Sequence, residues 1–162
     1  MSIPESQLEI WAHQGAVTTA KLTKDSIKSA LDSYNCWPDN INYDLYLQGS
    51  YKNNTNIWGD MDVDIILQLN NSFCSNLNEE QNKLLGIVNA SYFLTDFKKD
   101  VLSALQKYYG LNNLAIGNKT IKLKEDGSRL SADILVCLQY RNYFELNYST
   151  YIEGIFFWTR NE

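Results

Sequence analysis

The chain has 162 residues, enough for one domain with a sizeable core, and 1–162 is read as a single unit. Hydrophobic residues make up 44% and charged residues 20%, ordinary globular proportions, and no apolar run approaches the roughly 20 residues of a membrane span. The net charge of -5 argues against a general nucleic-acid surface, which needs clustered excess Lys and Arg. Residues 1–6 lack the basic-then-apolar pattern of a signal peptide, so the cytoplasm is the expected compartment. Cys36, Cys74 and Cys137 are odd in number and far apart, which excludes a disulfide framework and a Cys-x-x-Cys metal site. The single histidine, His13, cannot build a His-rich zinc site.

In chain order, residues 6–13 are predicted as a short helix with Leu8, Trp11 and Ala12 on one side. Thr23 is the expected N-cap of a second helix, with Asp25 in its first turn and Ile27, Ala30, Leu31 and Tyr34 as its buried stripe. Trp37-Pro38-Asp39-Asn40 ends that helix, and residues 42–48 alternate into a strand leading to a turn at Gly49-Ser50. A strand is predicted over 62–69, closed by a polar loop from Asn70 to Asn78. Residues 79–109 read as helix, with Phe93, Phe97, Val101, Leu105 and Tyr108 as its core face.

Residues 118–124 alternate as a strand, Glu125-Asp126-Gly127-Ser128 is a hairpin turn, and the near-continuous apolar run 130–140 is the central partner strand. A last strand covers 151–158. Cys137 falls in that central run and is expected as a core thiol. Lys119, Lys122, Lys124 and Arg129 form a basic stretch on the hairpin, read as a solvated face rather than a phosphate groove. These elements make an α+β domain with a mixed sheet flanked by helices.

The chemistry lies in the segment from Gly49 to Leu67. Strand side chains alternate faces, so Asp62 and Asp64 point the same way, roughly 7 Å apart. Carboxylates where a strand enters a core are costly to desolvate without a positive charge beside them. Two on one face point to a divalent metal with oxygen ligands, Mg²⁺ held with the phosphates of a nucleotide. Asp133, among Ile134, Leu135 and Val136, is the third acid expected to converge there. Gly49 would let backbone amides approach phosphate, and Ser50 would donate a hydrogen bond to it. Asp60 leaves a register ambiguity; Asp62 and Asp64 are preferred because the apolar strand follows directly after the second of them.

Gly49-Ser50, an interval of eleven residues, then Asp62-Val63-Asp64-Ile65, resembles the signature of the polymerase-β-like nucleotidyltransferases. Within them the wider text, including Leu47-Gln48-Gly49-Ser50-Tyr51-Lys52-Asn53 and Ala132-Asp133-Ile134-Leu135-Val136, is similar to the bacterial cGAS/DncV-like enzymes, relatives of oligoadenylate synthase. The resemblance implies a nucleotidyltransferase catalytic core that binds nucleoside triphosphates. Asp62, Asp64 and Asp133 would be the catalytic, Mg²⁺-binding acids, and Gly49 and Ser50 the triphosphate contacts. The implied product is a cyclic or linear oligonucleotide second messenger of anti-phage defence. Adenylylation of a protein or small molecule, or an inactive nucleotide-binding partner, are the alternatives. Such enzymes continue into a helical lobe, absent from these 162 residues, so uncovered apolar surface near Ile27–Tyr34 or Ile155–Trp158, and with it a homo-oligomer, is expected.

Overall fold

A computed structural model describes residues 4–5, 17–53, 62–88, 90–147 and 149–159. The helix predicted over 6–13, His13 and Asp60 lie outside the described residues. Among those described, the order is α1 (Val17–Asp32), β1 (Tyr43–Leu47), α2 (Gly49–Asn53), β2 (Asp62–Ser75), α3 (Glu79–Leu84) and α4 (Leu94–Tyr109). A short 3₁₀ turn (Leu111–Asn113) follows, then β3 (Leu114–Ile116), β4 (Thr120–Leu123), β5 (Ser131–Tyr143) and β6 (Tyr151–Phe156). The strands form one mixed sheet in the order β1-β2-β5-β4-β3, with β6 also pairing β5.

The sheet is organised by the parallel pairing of β2 with β5; β1, β4 and β6 add antiparallel to these two. Val63, Ile65, Leu67 and Leu69 stand opposite Ala132, Ile134, Val136 and Leu138, and all eight are buried in one core. The same core takes Ile27 and Leu31 from α1 and Leu94, Phe97, Val101 and Leu105 from α4. Period-2 burial on the strands therefore meets period-3.6 burial on the helices, which cover one face of the sheet. The opposite face carries Asp62, Asp64 and Asp133, by the same alternation.

Several predicted elements are redrawn by the structure. Thr23 is not an N-cap. It lies inside α1, fully buried, where its hydroxyl donates to the Thr19 carbonyl (2.9 Å) and accepts from the Leu130 amide (3.0 Å), tying the helix to the start of β5. The stripe Ile27, Ala30 and Leu31 is fully buried, so the uncovered apolar surface expected there is not found. The strand predicted to end at residue 69 runs on to Ser75. Residues 70–72 bulge out, after which Phe73 and Cys74 resume pairing with Gln139 and Tyr140, and Phe73 lies 3.8 Å under the Arg141 guanidinium.

The helix predicted over 79–109 is two. Asn78 and Gln81 form a reciprocal capping box at the start of α3 (2.9 and 3.0 Å), and Gly86, at φ 68°, lies just beyond its end. Phe93 sits at the N-terminal boundary of α4 and is exposed, so the true core face is Leu94, Phe97, Val101, Ala104 and Leu105. Fourfold spacing counted from Phe93 drifts off a 3.6-residue period and leaves Tyr108 in solvent. Cys137 is a core thiol as expected, and burial pushes it up to about 12, which leaves it unreactive. No helix among the described residues is long and apolar enough to cross a membrane.

Phe97 is fully buried and meets Trp37, Tyr43 and Tyr92 at ring-centroid distances of 6.0, 6.2 and 6.3 Å. Phe97→Ala is expected to lower unfolding stability by about 3–5 kcal/mol, read from urea denaturation. A loss under ~1 kcal/mol would show that α4 does not anchor this face of the sheet.

Candidate active site

The site is built where β1 ends beside the start of β2. The Gln48 amide donates to the Asp64 carbonyl (2.9 Å), extending the β1–β2 ladder by one residue and holding Gly49 against Asp64. Gly49 has φ +68° and begins α2 rather than a simple turn. A Cβ at this position would overlap the Asp64 carboxylate. Glycine is therefore required twice over, by the left-handed backbone and by the closeness of that carboxylate. Ser50 follows in α2, half-buried, and Tyr51 anchors the short helix in the core.

Asp64 and Asp133 are direct partners in the β2–β5 register. Neighbouring strands lie about 4.8 Å apart, so two carboxylates leave the same face side by side. Like charges placed directly opposite each other are destabilising, and a cation between them relieves this. The two acids line a cavity of 350 Å³ together with Gln48, Gly49, Asn53, Thr120 and Leu135. The predicted metal acids Asp64 and Asp133 and the predicted phosphate contact Gly49 thus share one cavity.

Asp62 is placed differently. Its register partner is Ser131, whose hydroxyl donates to its carboxylate, and Lys122 Nζ lies 3.3 Å from the other carboxylate oxygen. The Ser131 hydroxyl foremost, and the Lys122 ammonium with it, hold the Asp62 carboxyl below the usual carboxylate range against the opposing push of partial burial. Crowding of three acids would have raised a carboxyl; at Asp62 the local partners win. Asp62 lines a neighbouring cavity with Lys122, Lys124, Glu125 and Ser131. Among the described residues, no group of three or more His, Cys, Asp and Glu side chains is gathered closely enough to hold a metal.

The donor set is nevertheless one for a hard cation. Carboxylate oxygens with hydroxyls and backbone nearby suit Mg²⁺ and Ca²⁺, not zinc. Asp64 and Asp133 are the two carboxylates placed side by side for such an ion, and Asp62, two residues before Asp64 on the same face, is engaged by Ser131 and Lys122. Sequence reasoning gave no role to Ser131 or Thr120 and read Lys122 as part of a solvated basic face, whereas its ammonium rests on Asp62. Alternation on the hairpin was the signal available, since it puts Thr120 and Lys122 on the same side of β4, opposite Ile121 and Leu123. Lys122 pairs in register with Asp133, which brings the lysine to the acid face.

No family model matches the chain. A cyclic UMP-AMP synthase of Rhodothermus marinus (strain SG0.5JP17-172) is 49% identical over 164 residues, covering 100% of this chain and 56% of that enzyme. The cyclic nucleotide synthase CdnE01 of Staphylococcus haemolyticus is 37% identical over 172 residues, covering 100% and 57%. The solved structure of the Rhodothermus marinus CdnE c-UMP-AMP synthase with Apcpp and Upnpp superposes with a TM-score of 0.85 at 49% identity, over 95% of this chain and 52% of that one. The chain spans about half the length of the curated relatives it matches. On this likeness of sequence and fold, the chain belongs to the bacterial cGAS/DncV-like nucleotidyltransferases.

Proposed function

We propose that this chain forms the metal- and triphosphate-binding core of a nucleotidyltransferase that joins a nucleoside triphosphate to a hydroxyl and releases pyrophosphate. The product is a cyclic or linear oligonucleotide messenger serving anti-phage defence. The observation that carries the reading is the in-register pair Asp64–Asp133 with Gly49 pressed against Asp64. Similarity along this whole chain to about half of a cyclic UMP-AMP synthase, whose structure holds Apcpp and Upnpp, supports it.

In the reaction, the acceptor hydroxyl oxygen bonds to the α-phosphorus, the bond to the β-phosphate oxygen breaks, and pyrophosphate departs as the hydroxyl proton is released. Mg²⁺, when bound, offsets charge on the phosphates and lowers the pKa of the attacking hydroxyl. Asp64 and Asp133 hold that ion from adjacent strands, and Asp62 adds a third carboxylate. The missing side chain at Gly49 leaves room for the Asp64 carboxylate, and the Gly49 and Ser50 backbone amides with the Ser50 hydroxyl would donate to phosphate oxygens. The rigid parallel pair of strands supplies the positioning on which phosphoryl transfer depends. The cytoplasm, where nucleoside triphosphates are supplied, is the setting this chemistry requires.

Asp64→Asn keeps the side chain's size and removes its charge. It is expected to abolish pyrophosphate release from Mg²⁺ and the four common nucleoside triphosphates while leaving the circular dichroism spectrum unchanged. Equal release by wild type and variant would overturn the assignment of the acids. Ser50→Ala should weaken triphosphate binding by about 1–2 kcal/mol in calorimetry, the worth of one hydrogen bond to a charged acceptor. Gly49→Ala should cost about 1–2 kcal/mol of stability from the left-handed backbone alone. It should also weaken metal binding, because the new methyl group displaces Asp64. Unaltered thermal stability and metal affinity would show that Gly49 is not held against the carboxylate.

A further inference from the structure

Lys122 is the one lysine of the basic hairpin whose ammonium rests on a carboxylate of the acid face. Lys124 Nζ donates to the Asn112 carbonyl (2.7 Å), Lys119 lies over the Phe157 ring, and Arg129 is engaged by Asp126 and the Tyr109 ring. The Lys122 backbone sits on β4, in register with Asp133 on β5, whereas Asp62 sits on β2, beyond Ser131. To meet Asp62 at 3.3 Å, the Lys122 side chain must cross over the whole of β5. Its positive charge then lies on the acid face, against the Asp62 carboxylate that also accepts from the Ser131 hydroxyl. Both partners are about half exposed, 45% for Lys122 and 52% for Asp62. A pair that open is weak and readily exchanged.

We propose that Lys122 is a resident counter-ion of the acid face, which yields Asp62 to the divalent metal and transfers its ammonium to the triphosphate that arrives with it. The inference rests on the reading of Asp62, Asp64 and Asp133 as the metal acids. One monovalent charge on a flexible stem holds Asp62 before metal binds. A divalent ion outcompetes it for the carboxylate, and the freed ammonium is left beside a polyanion, to which it donates charge-assisted hydrogen bonds. Lys122 thus opposes metal alone and favours metal with triphosphate, so the acids load most readily when both arrive together.

The two effects have opposite signs, which a merely structural lysine would not produce. Lys122→Met keeps the aliphatic stem across β5 and removes the charge. Two titrations on the 162-residue chain read the outcome: Mn²⁺ alone, followed by electron paramagnetic resonance, and Mn²⁺ with inorganic tripolyphosphate, followed by calorimetry. Lys122→Met is expected to bind Mn²⁺ alone about three- to tenfold more tightly, and Mn²⁺-tripolyphosphate about tenfold more weakly. Lys122→Arg should restore wild-type behaviour in both titrations. Unchanged or weaker Mn²⁺ binding by a folded Lys122→Met would overturn the proposal, as would unchanged tripolyphosphate binding. If Asp64→Asn abolishes Mn²⁺ binding while Lys122→Met alters neither titration, the acid site stands and the role of Lys122 falls. If the wild-type chain binds no Mn²⁺, both readings fall.

Discussion

The parallel register of β2 on β5 is the constraint from which the rest of the molecule follows. Val63, Ile65, Leu67 and Leu69 meet Ala132, Ile134, Val136 and Leu138 on the helix-covered face. A slip of one residue would turn Asp64 into that core and expose the aliphatic row, so it is forbidden by burial alone. A slip of two would keep the alternation but set Asp64 opposite Ser131 or Leu135 and stagger the core against α1 and α4. The apolar face, which has no part in chemistry, therefore decides that Asp64 stands beside Asp133 and Asp62 beside Ser131. Positioning of the site is a by-product of packing, which makes it stiff without needing a dedicated scaffold.

The same pairing explains how the peripheral residues are recruited. Because β4 adds antiparallel to β5, its lysine at 122 faces Asp133 and can reach over to Asp62. Because β1 adds antiparallel to β2, the chain leaving Leu47 must bond back to Asp64, and the next residue has to be one with no side chain. Thr23 locks the other side of the arrangement: its buried hydroxyl accepts the Leu130 amide at the point where the hairpin becomes β5. A strand whose start is fixed by a helix side chain cannot drift, so the acid two residues inside it cannot either.

What was legible in the sequence is what depends on local pattern. The acid-apolar alternation that opens 62–69, the near-continuous apolar run 130–140, the stripe Ile27-Ala30-Leu31, and the acid pair after a Gly-Ser step all announce themselves in a few residues. The extension of β2 to Ser75 was not legible, because Asn70, Asn71 and Ser72 look like a loop and are one only in the sense of a bulge; pairing of Phe73 and Cys74 with β5 is a tertiary fact. The break between α3 and α4 was hidden by Phe93, whose apolar side chain fits a helical stripe but lies at a helix start in solvent. At the site, the residue types were readable and their division into two cavities was not. Whether Asp62 joins Asp64 or turns to Ser131 and Lys122 depends on β2 lying on the other side of β5 from β4, a pairing of strands distant in sequence that adjacency does not carry.

Water is what allows these charges to coexist on the folded chain. Two like charges 4 Å apart repel by about 1 kcal/mol in bulk water and by about 4 kcal/mol at the effective dielectric of a protein surface. Asp62 and Asp64 are exposed, and Asp133 only partly covered, so the face stays near the lower figure and the fold tolerates it. The aliphatic row beneath supplies the compensating stability on the opposite side of the same two strands. Excluding water from this face would raise the repulsion among the acids and the cost of leaving them without a counter-charge. A chain arranged in this way folds with its acids wet, and a cover that excluded water would be tolerated only if a cation came with it.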